Sequence, residues 1–187
     1  MTQKRNVAVI IGSLRKGSYS RMIAKAMCGL AEGMECTIVE IGALPLYDPD
    51  LEEPTPPAEW TAFREAIRRA DAVLFVTPEY NRSVPGALKN AIDVGSRPYG
   101  KSVWSGKPAA VASVSPGALS AFGANHHLRQ SFVFLDMPVL QQPEAYIGGV
   151  AKLVDASGAL VNDDTRAFLR KFMQAFAAWI RKVGAPR

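Results

Sequence analysis

The sequence predicts an α/β fold, a doubly wound five-stranded parallel sheet in the strand order 2-1-3-4-5 with helices on both faces. Apolar runs alternate with helical patterns about five times along the chain, which is the pattern of a parallel sheet covered by helices. The run Ala72–Thr77 is almost entirely apolar, as expected for a strand that is buried on both faces. A segment rich in glycine and serine joins the first apolar run to the first helical pattern, and such sheets bind their ligands at the carboxyl ends of the strands.

The strands are predicted from short apolar runs that are bounded by turn residues. They are residues 6–11, 36–41, 72–77 and 108–115, followed by a short strand near residues 139–140. Gly42 closes the second strand. The segment after it, residues 43–59, contains too many prolines for a helix or a central strand, because proline lacks an amide proton.

The helices are predicted from apolar residues at helical spacing. The first helix starts at Ser20, which we expect to be its N-cap. The others are predicted at residues 58–70 and 86–94, in a segment that ends near residue 135, and at residues 163–183. The last helix has a clear apolar face, formed by Phe168, Leu169, Phe172, Met173, Phe176 and Ile180.

Size and composition predict one domain over residues 1–187. The sequence lacks a run of about 18 apolar residues and a secretion signal, so we expect a cytoplasmic protein with no membrane partner. The net charge of +5 is spread along the chain and suits small anionic partners better than nucleic acid. Cys28 and Cys36 do not form a CxxC pair and are predicted to be buried, reduced thiols.

The segment GSLRKGSYSR, residues 12–21, carries the strongest functional signal. It combines two glycines, three serines and three cations at a helix N-terminus, where unpaired amides and the helix dipole favour an anion. It is neither a P-loop, which would need Lys and then Ser or Thr after Gly17, nor the dinucleotide pattern GxGxxG. We interpret it as a phosphate-binding loop. The alternative is a solvated strand–helix turn.

Two further loops are expected at the same edge of the sheet. The loop at residues 77–86 is stiffened by Pro78 and Pro85, and the loop at residues 113–123 is rich in small residues. Small residues let a flat ligand approach the backbone, and backbone amides could bond the polar edge of a heterocycle. A phosphate at one end and a flat polar ring at the other describe flavin mononucleotide (FMN).

Three segments of the chain resemble the NADPH-dependent FMN reductase family, and within it the bacterial quinone and chromate reductases. They are GSLRKGSYS (12–20), PEYNRSVPGALKNAID (78–93) and HLRQ (127–130). The resemblance extends from the first strand to about Asp155. It implies a flavodoxin-like fold, bound FMN, and a homodimer or homotetramer. It also implies electron transfer from NADPH or NADH to quinones or other oxidised acceptors, such as azo, nitro or chromate-like compounds.

The resemblance also implies roles for individual residues. The FMN phosphate would be held by Ser13, Arg15, Ser18 and Ser20. The isoalloxazine would be lined, mainly through backbone groups, by Pro78, Glu79, Tyr80 and Asn81, and closed on its other side by Ser115 and Gly117. Because the flavin carries the chemistry, we expect neither a catalytic acid nor a catalytic nucleophile in the protein.

The sequence departs from the family pattern at two places. Ser120 and Ala121 stand where relatives often have two glycines, which puts the shape of the pyrimidine end of the site in question. Val94 stands where relatives often have an aromatic residue. We expect that change to widen the acceptor pocket or to alter a subunit interface.

The alternatives to a reductase are an electron carrier and an NAD-binding module, and a metal site is a further possibility to test against the sequence. A flavodoxin-type electron carrier is the main alternative, although such carriers are usually acidic and this chain is basic. An NAD-binding module, with Glu40 as the ribose-binding acid, lacks GxGxxG. His126 and His127 are adjacent and lack the i, i+4 spacing of a helical metal pair, so no metal site is predicted.

Overall fold

The computed structural model describes residues 4–184. Within them, five parallel strands form one sheet in the order β2-β1-β3-β4-β5, which confirms the predicted fold class. The strands are β1 (Arg5–Ile11), β2 (Met34–Val39), β3 (Ala72–Thr77), β4 (Ala109–Val114) and β5 (Ala145–Ile147). The helices are α1 (Tyr19–Gly29), α2 (Ala58–Arg69), α3 (Gly86–Gly95), α4 (Phe122–Phe134) and α5 (Asp163–Val183).

Helices cover both faces of the sheet, and each face has its own hydrophobic core. Successive side chains of a strand point to opposite faces, so Val7 and Val9 join the core beneath α1 and α5. Ala8 and Ile10 join the core beneath α2, α3 and α4. The three central strands are therefore buried on both sides, which is why they appear in the sequence as continuous apolar runs.

Two strand predictions need correction. The second strand is Met34–Val39, because the chain leaves the sheet before Ile41, whose side chain packs from the following loop into the α2 side of the core. The predicted strand near residues 139–140 is wrong. Val139 makes only an isolated bridge with Ala109, and β5 begins later, at Ala145. Prolines at 138 and 143 flank that run, and their missing amide protons prevent a longer ladder.

Three local predictions are also corrected. The N-cap of α1 is Ser18 and not Ser20, since the Ser18 Oγ accepts the amide of Arg21. Val94 is completely buried in the core on the α2 side, so its side chain lines neither an open pocket nor a subunit interface, contrary to expectation. Cys28 and Cys36 are free thiols but only half-buried. The Cys36 thiol, hydrogen-bonded to that of Cys28 and partly desolvated, has a pKa above its ordinary value.

Candidate functional site

Three loops meet at the carboxyl edge of the sheet, as predicted. Ile11 is aligned with Val76, and Thr77 with Ser113, so β1, β3 and β4 end at nearly the same level. Gly12 lies at the meeting point, where its amide donates to the carbonyl of Val76 at 2.9 Å. A Cβ on Gly12 would lie 2.6 Å from the Thr77 Oγ1, so only glycine permits the first two loops to approach this closely.

The first loop leads into α1, and the backbone amides at the start of this helix have no hydrogen-bond acceptor within the helix. The first intrahelical bond runs from the amide of Met22 to the carbonyl of Ser18, so the Tyr19 and Ser20 amides precede the helical ladder. The Ser18 Oγ accepts the amide of Arg21 at 3.2 Å, and its hydroxyl proton remains available as a donor. Ser13, Ser18 and Ser20 are all buried here. This arrangement can bind an anion.

The cations of this loop differ in what they contact. Both terminal nitrogens of Arg21 donate to the carboxylate of Glu40, at 2.8 and 2.7 Å. These bonds hold the pKa of the Glu40 carboxyl below its ordinary value. They also engage the carboxylate that an NAD-binding module would need to bind its ribose. Arg15 and Lys16 are exposed and form no ion pair with any residue of the range 4–184. Arg15 is therefore the arginine of this loop that is free to contact a bound anion.

The second loop forms a tight two-residue turn. Tyr80 and Ser83 exchange both backbone hydrogen bonds, each 3.0 Å long. The central residues Asn81 and Arg82 have φ of 50° and 65°, in the left-handed region. Two left-handed central residues between paired strands define a type I′ hairpin, for which Asn-Gly is the preferred sequence. We call residues 79–83 the hairpin.

Arg82 is less suited to its position than Asn81, because asparagine tolerates the left-handed region, where other side chains cost about 1–2 kcal/mol. Arg82→Gly should raise the free energy of unfolding by about 0.5 kcal/mol, since the greater freedom of glycine in the unfolded chain offsets part of the gain. The midpoint of thermal unfolding should rise by about 1–2 °C. Arg82→Ala, which retains the Cβ, is the control. Equal midpoints for the glycine and alanine variants would contradict the prediction.

The third loop is held by short hydrogen bonds of its own. The Ser115 Oγ accepts the amide of Gly117 at 3.0 Å, and the Ser113 Oγ donates to the carbonyl of Ser120 at 2.8 Å. Ser120 and Ala121 have φ of 53° and 58°, which explains why glycine suits these two positions in relatives. This chain adopts the left-handed backbone at both positions without glycine.

The structure therefore brings the predicted residues to one edge of the sheet, but it also shows contacts that sequence reasoning missed. The carboxylate of Glu79 accepts the amide of Ala124 in α4, and no spacing in the sequence indicates this contact. His126 contacts the Tyr146 hydroxyl, and His127 contacts the Ser83 hydroxyl. Among the residues described, no three His, Cys, Asp or Glu side chains are grouped so that they could hold a metal ion.

Comparison with known proteins identifies the family. The model of the NADPH-dependent FMN reductase family matches residues 5–152. The chain belongs to this family. It is 64% identical to a quinone reductase of Pseudomonas putida over 97% of each chain. It is 46% identical to a 2-hydroxy-1,4-benzoquinone reductase of a Burkholderia species, over 94% of this chain and 96% of that protein.

Solved structures agree with this family assignment. The flavoenzyme NAD(P)H:(acceptor) oxidoreductase FerB of Paracoccus denitrificans superposes with a TM-score of 0.91 and 42% identity, covering 97% of this chain and all of FerB. A flavodoxin of Streptococcus pneumoniae superposes with a TM-score of 0.58 at 12% identity, which shows the shared fold alone. As a member of the FMN reductase family, this protein is an oxidoreductase that uses FMN and NAD(P)H.

The residues at the sheet edge fit FMN. The buried serines and free amides of the first loop, together with the unpaired Arg15, supply hydrogen-bond donors and positive charge for a phosphate. The close approach at Gly12 keeps the first loop beside the end of β3, from which the second loop begins. A separate observation concerns membranes: none of the helices in residues 4–184 is both long and apolar enough to span one.

Proposed function

We propose that this reductase passes electrons from NAD(P)H through FMN to quinones. The observation that carries the proposal is the convergence of a helix N-terminus suited to an anion and two further loops at the ends of β1, β3 and β4. The named activities of the Pseudomonas and Burkholderia relatives support a quinone as the acceptor. Azo, nitro and chromate-like compounds are further candidate acceptors.

In this proposal the first loop binds the FMN phosphate. Ser13, Ser18 and Ser20 contribute hydroxyl or backbone donors, and Arg15 contributes a guanidinium that can form two parallel hydrogen bonds to phosphate oxygens. The Ser18 hydroxyl can serve both purposes, because its oxygen caps α1 while its proton remains available to donate to a phosphate oxygen. The N-terminal dipole of α1 adds a favourable field for the negative charge.

The isoalloxazine is assigned to the slot between the second and third loops. Backbone groups of Pro78, Glu79, Tyr80 and Asn81 line one side, and Ser115 and Gly117 line the other. When bound, FMN supplies the redox chemistry, accepting hydride from the nicotinamide and delivering electrons to the acceptor. The residues of the two loops would hold and orient the ring.

We further propose that the protein is a cytoplasmic homodimer or homotetramer. Helix α4 supports self-association, because Phe122, Val133 and Phe134 are largely exposed on it. Exposed apolar side chains grouped on one element are typical of protein interfaces. The free thiols of Cys28 and Cys36 are compatible with a reducing compartment.

Reduction of bound flavin tests the proposed function. FMN-loaded protein should be yellow, and its colour should bleach without oxygen on addition of NADPH or NADH and return on addition of a benzoquinone. A steady-state screen of acceptors with both nicotinamides then ranks quinones against azo, nitro and chromate-like compounds. Yellow protein that does not react with either nicotinamide would support the flavodoxin-type carrier instead. Protein that takes up no FMN would contradict both.

A further inference from the structure

The side chain of Glu79 connects the two loops that form the proposed ring slot. Its backbone belongs to the second loop, yet its Oε2 accepts the amide of Ala124, in the first turn of α4, at 3.1 Å. The Glu79 side chain is only 12% exposed. Its exposed partner Arg82 lies on the solvent side at 3.5 Å. The carboxylate is therefore directed into the junction between the hairpin and α4.

Helix α4 depends on this carboxylate for its N-terminal cap. The residue at the N-cap position is Ala121, whose side chain has no oxygen and whose φ of 58° is left-handed. Helix N-termini carry unpaired amides and a partial positive charge, and a carboxylate that accepts one of these amides stabilises the helix end. Glu79 supplies from another loop the cap that the sequence of α4 itself lacks.

Two further contacts seat the hairpin on α4. The Ser83 Oγ lies 2.9 Å from the Nδ1 of His127, one turn further along the helix. A Cβ on Gly123 would lie 2.8 Å from the carbonyl oxygen of Arg82, so the absence of a side chain there allows the hairpin to sit against the helix. The hairpin thus rests on the first two turns of α4 through both backbone and side-chain contacts.

Helix α4 also continues directly from the third loop. Residues 115–121 run directly into α4, and the end of this loop is tied to β4 by the bond from the Ser113 Oγ to the Ser120 carbonyl. A contact between Glu79 and α4 therefore fixes the distance between the second and third loops. Because a flat ring must be held between these loops, their separation determines how well it is held.

We propose that Glu79 is a positioning residue that sets the width of the FMN ring slot by capping α4. The inference rests on the proposed placement of FMN and assigns to the Glu79 side chain a role distinct from the backbone contacts of its loop. This role requires a hydrogen-bond acceptor on a side chain as long as glutamate, so that it reaches the amide of Ala124. The role does not require the negative charge. Glutamine retains that acceptor without the charge, and aspartate retains the charge on a side chain one methylene shorter.

The test is the FMN dissociation constant, measured by quenching of flavin fluorescence on titration with apoprotein. Glu79→Ala and Glu79→Asp should each bind FMN about tenfold more weakly, because FMN binding must then order the uncapped start of α4 at a cost comparable to that of one helix cap. Glu79→Gln should bind FMN like the wild type. Arg82→Ala, which removes the exposed charge partner and retains the cap, is the matched control and should leave the dissociation constant unchanged.

The outcomes distinguish a failure of the positioning role of Glu79 from a failure of the proposed function. If the wild type binds FMN and Glu79→Asp binds it equally well, the positioning role is wrong while the proposed function stands. If Glu79→Gln is as weak as Glu79→Ala, the charge and not the cap is responsible, and the role is again wrong. If the wild type itself binds no FMN, the proposed function fails. Circular dichroism confirms folding, and the aspartate and glutamine pair decides the question if the alanine variant does not fold.

Discussion

Arg15→Ala should raise the FMN dissociation constant by about ten- to a hundred-fold, corresponding to about 1.5–3 kcal/mol for a charge-assisted hydrogen bond. Arg15 is the exposed arginine of the phosphate-binding loop, and it is free of ion pairs in the described part of the chain, whereas Arg21 is held by Glu40. Its guanidinium can therefore contact the phosphate without first breaking an existing bond. Fluorescence titration of apoprotein with FMN measures the change.

Two further variants show whether the effect comes from geometry or from charge alone. Arg15→Lys keeps the charge but loses the planar pair of donors, so its affinity should fall between those of the wild type and the alanine variant. Arg68→Ala removes the same charge from the last turn of α2, at the opposite edge of the sheet, and should leave the affinity unchanged. Equal FMN affinity for Arg15→Ala and the wild type would show that this arginine does not touch the phosphate.

The difference between Arg15 and Arg21 shows what the sequence could and could not predict about the site. The loop, its place between β1 and α1, and its anion-binding character follow from local patterns, since glycine, serine and a helix start are adjacent in the chain. Which arginine is free depends on Glu40, which is 19 residues away from Arg21 and is brought to it by the end of β2. Such a pairing is a tertiary property without a local pattern.

The fold shows the same division. Strands β1, β3 and β4 are buried on both faces and produce continuous apolar runs, so their positions were predicted to within one residue at each end. Strand β5 has only three residues, one of them a partly buried tyrosine, and so short a run cannot be told from a loop by its sequence. Val94 illustrates the opposite error, because comparison with relatives in sequence alone placed it at the acceptor pocket or a subunit interface, yet it lies in the core.

Arg64→Ala should lower the free energy of unfolding by about 3 kcal/mol or more, the cost of leaving one member of a buried ion pair alone. Arg64 in α2 is 4% exposed, and its two terminal nitrogens donate to the two carboxylate oxygens of Glu52. Its Nε donates to the carbonyl of Val94 at 2.9 Å. Removing the guanidinium leaves the Glu52 carboxylate without its ion-pair partner and detaches the β2–α2 loop from the end of α3. Chemical denaturation measures the change.

The same helix provides a matched control for this prediction. Arg69 forms an ion pair of nearly ideal length with Glu65, at 2.9 Å, but its side chain is 76% exposed. Arg69→Ala should therefore cost no more than about 0.5 kcal/mol, because water and salt screen an exposed pair. Glu52→Gln, which keeps an acceptor for Arg64 but removes the charge, should fall between the two arginine variants. Equal losses of unfolding free energy for Arg64→Ala and Arg69→Ala would show that burial does not decide the strength of these contacts. The β2–α2 loop would then be held by other contacts, such as the bonds from Asn90 to the carbonyls of Leu44 and Pro45.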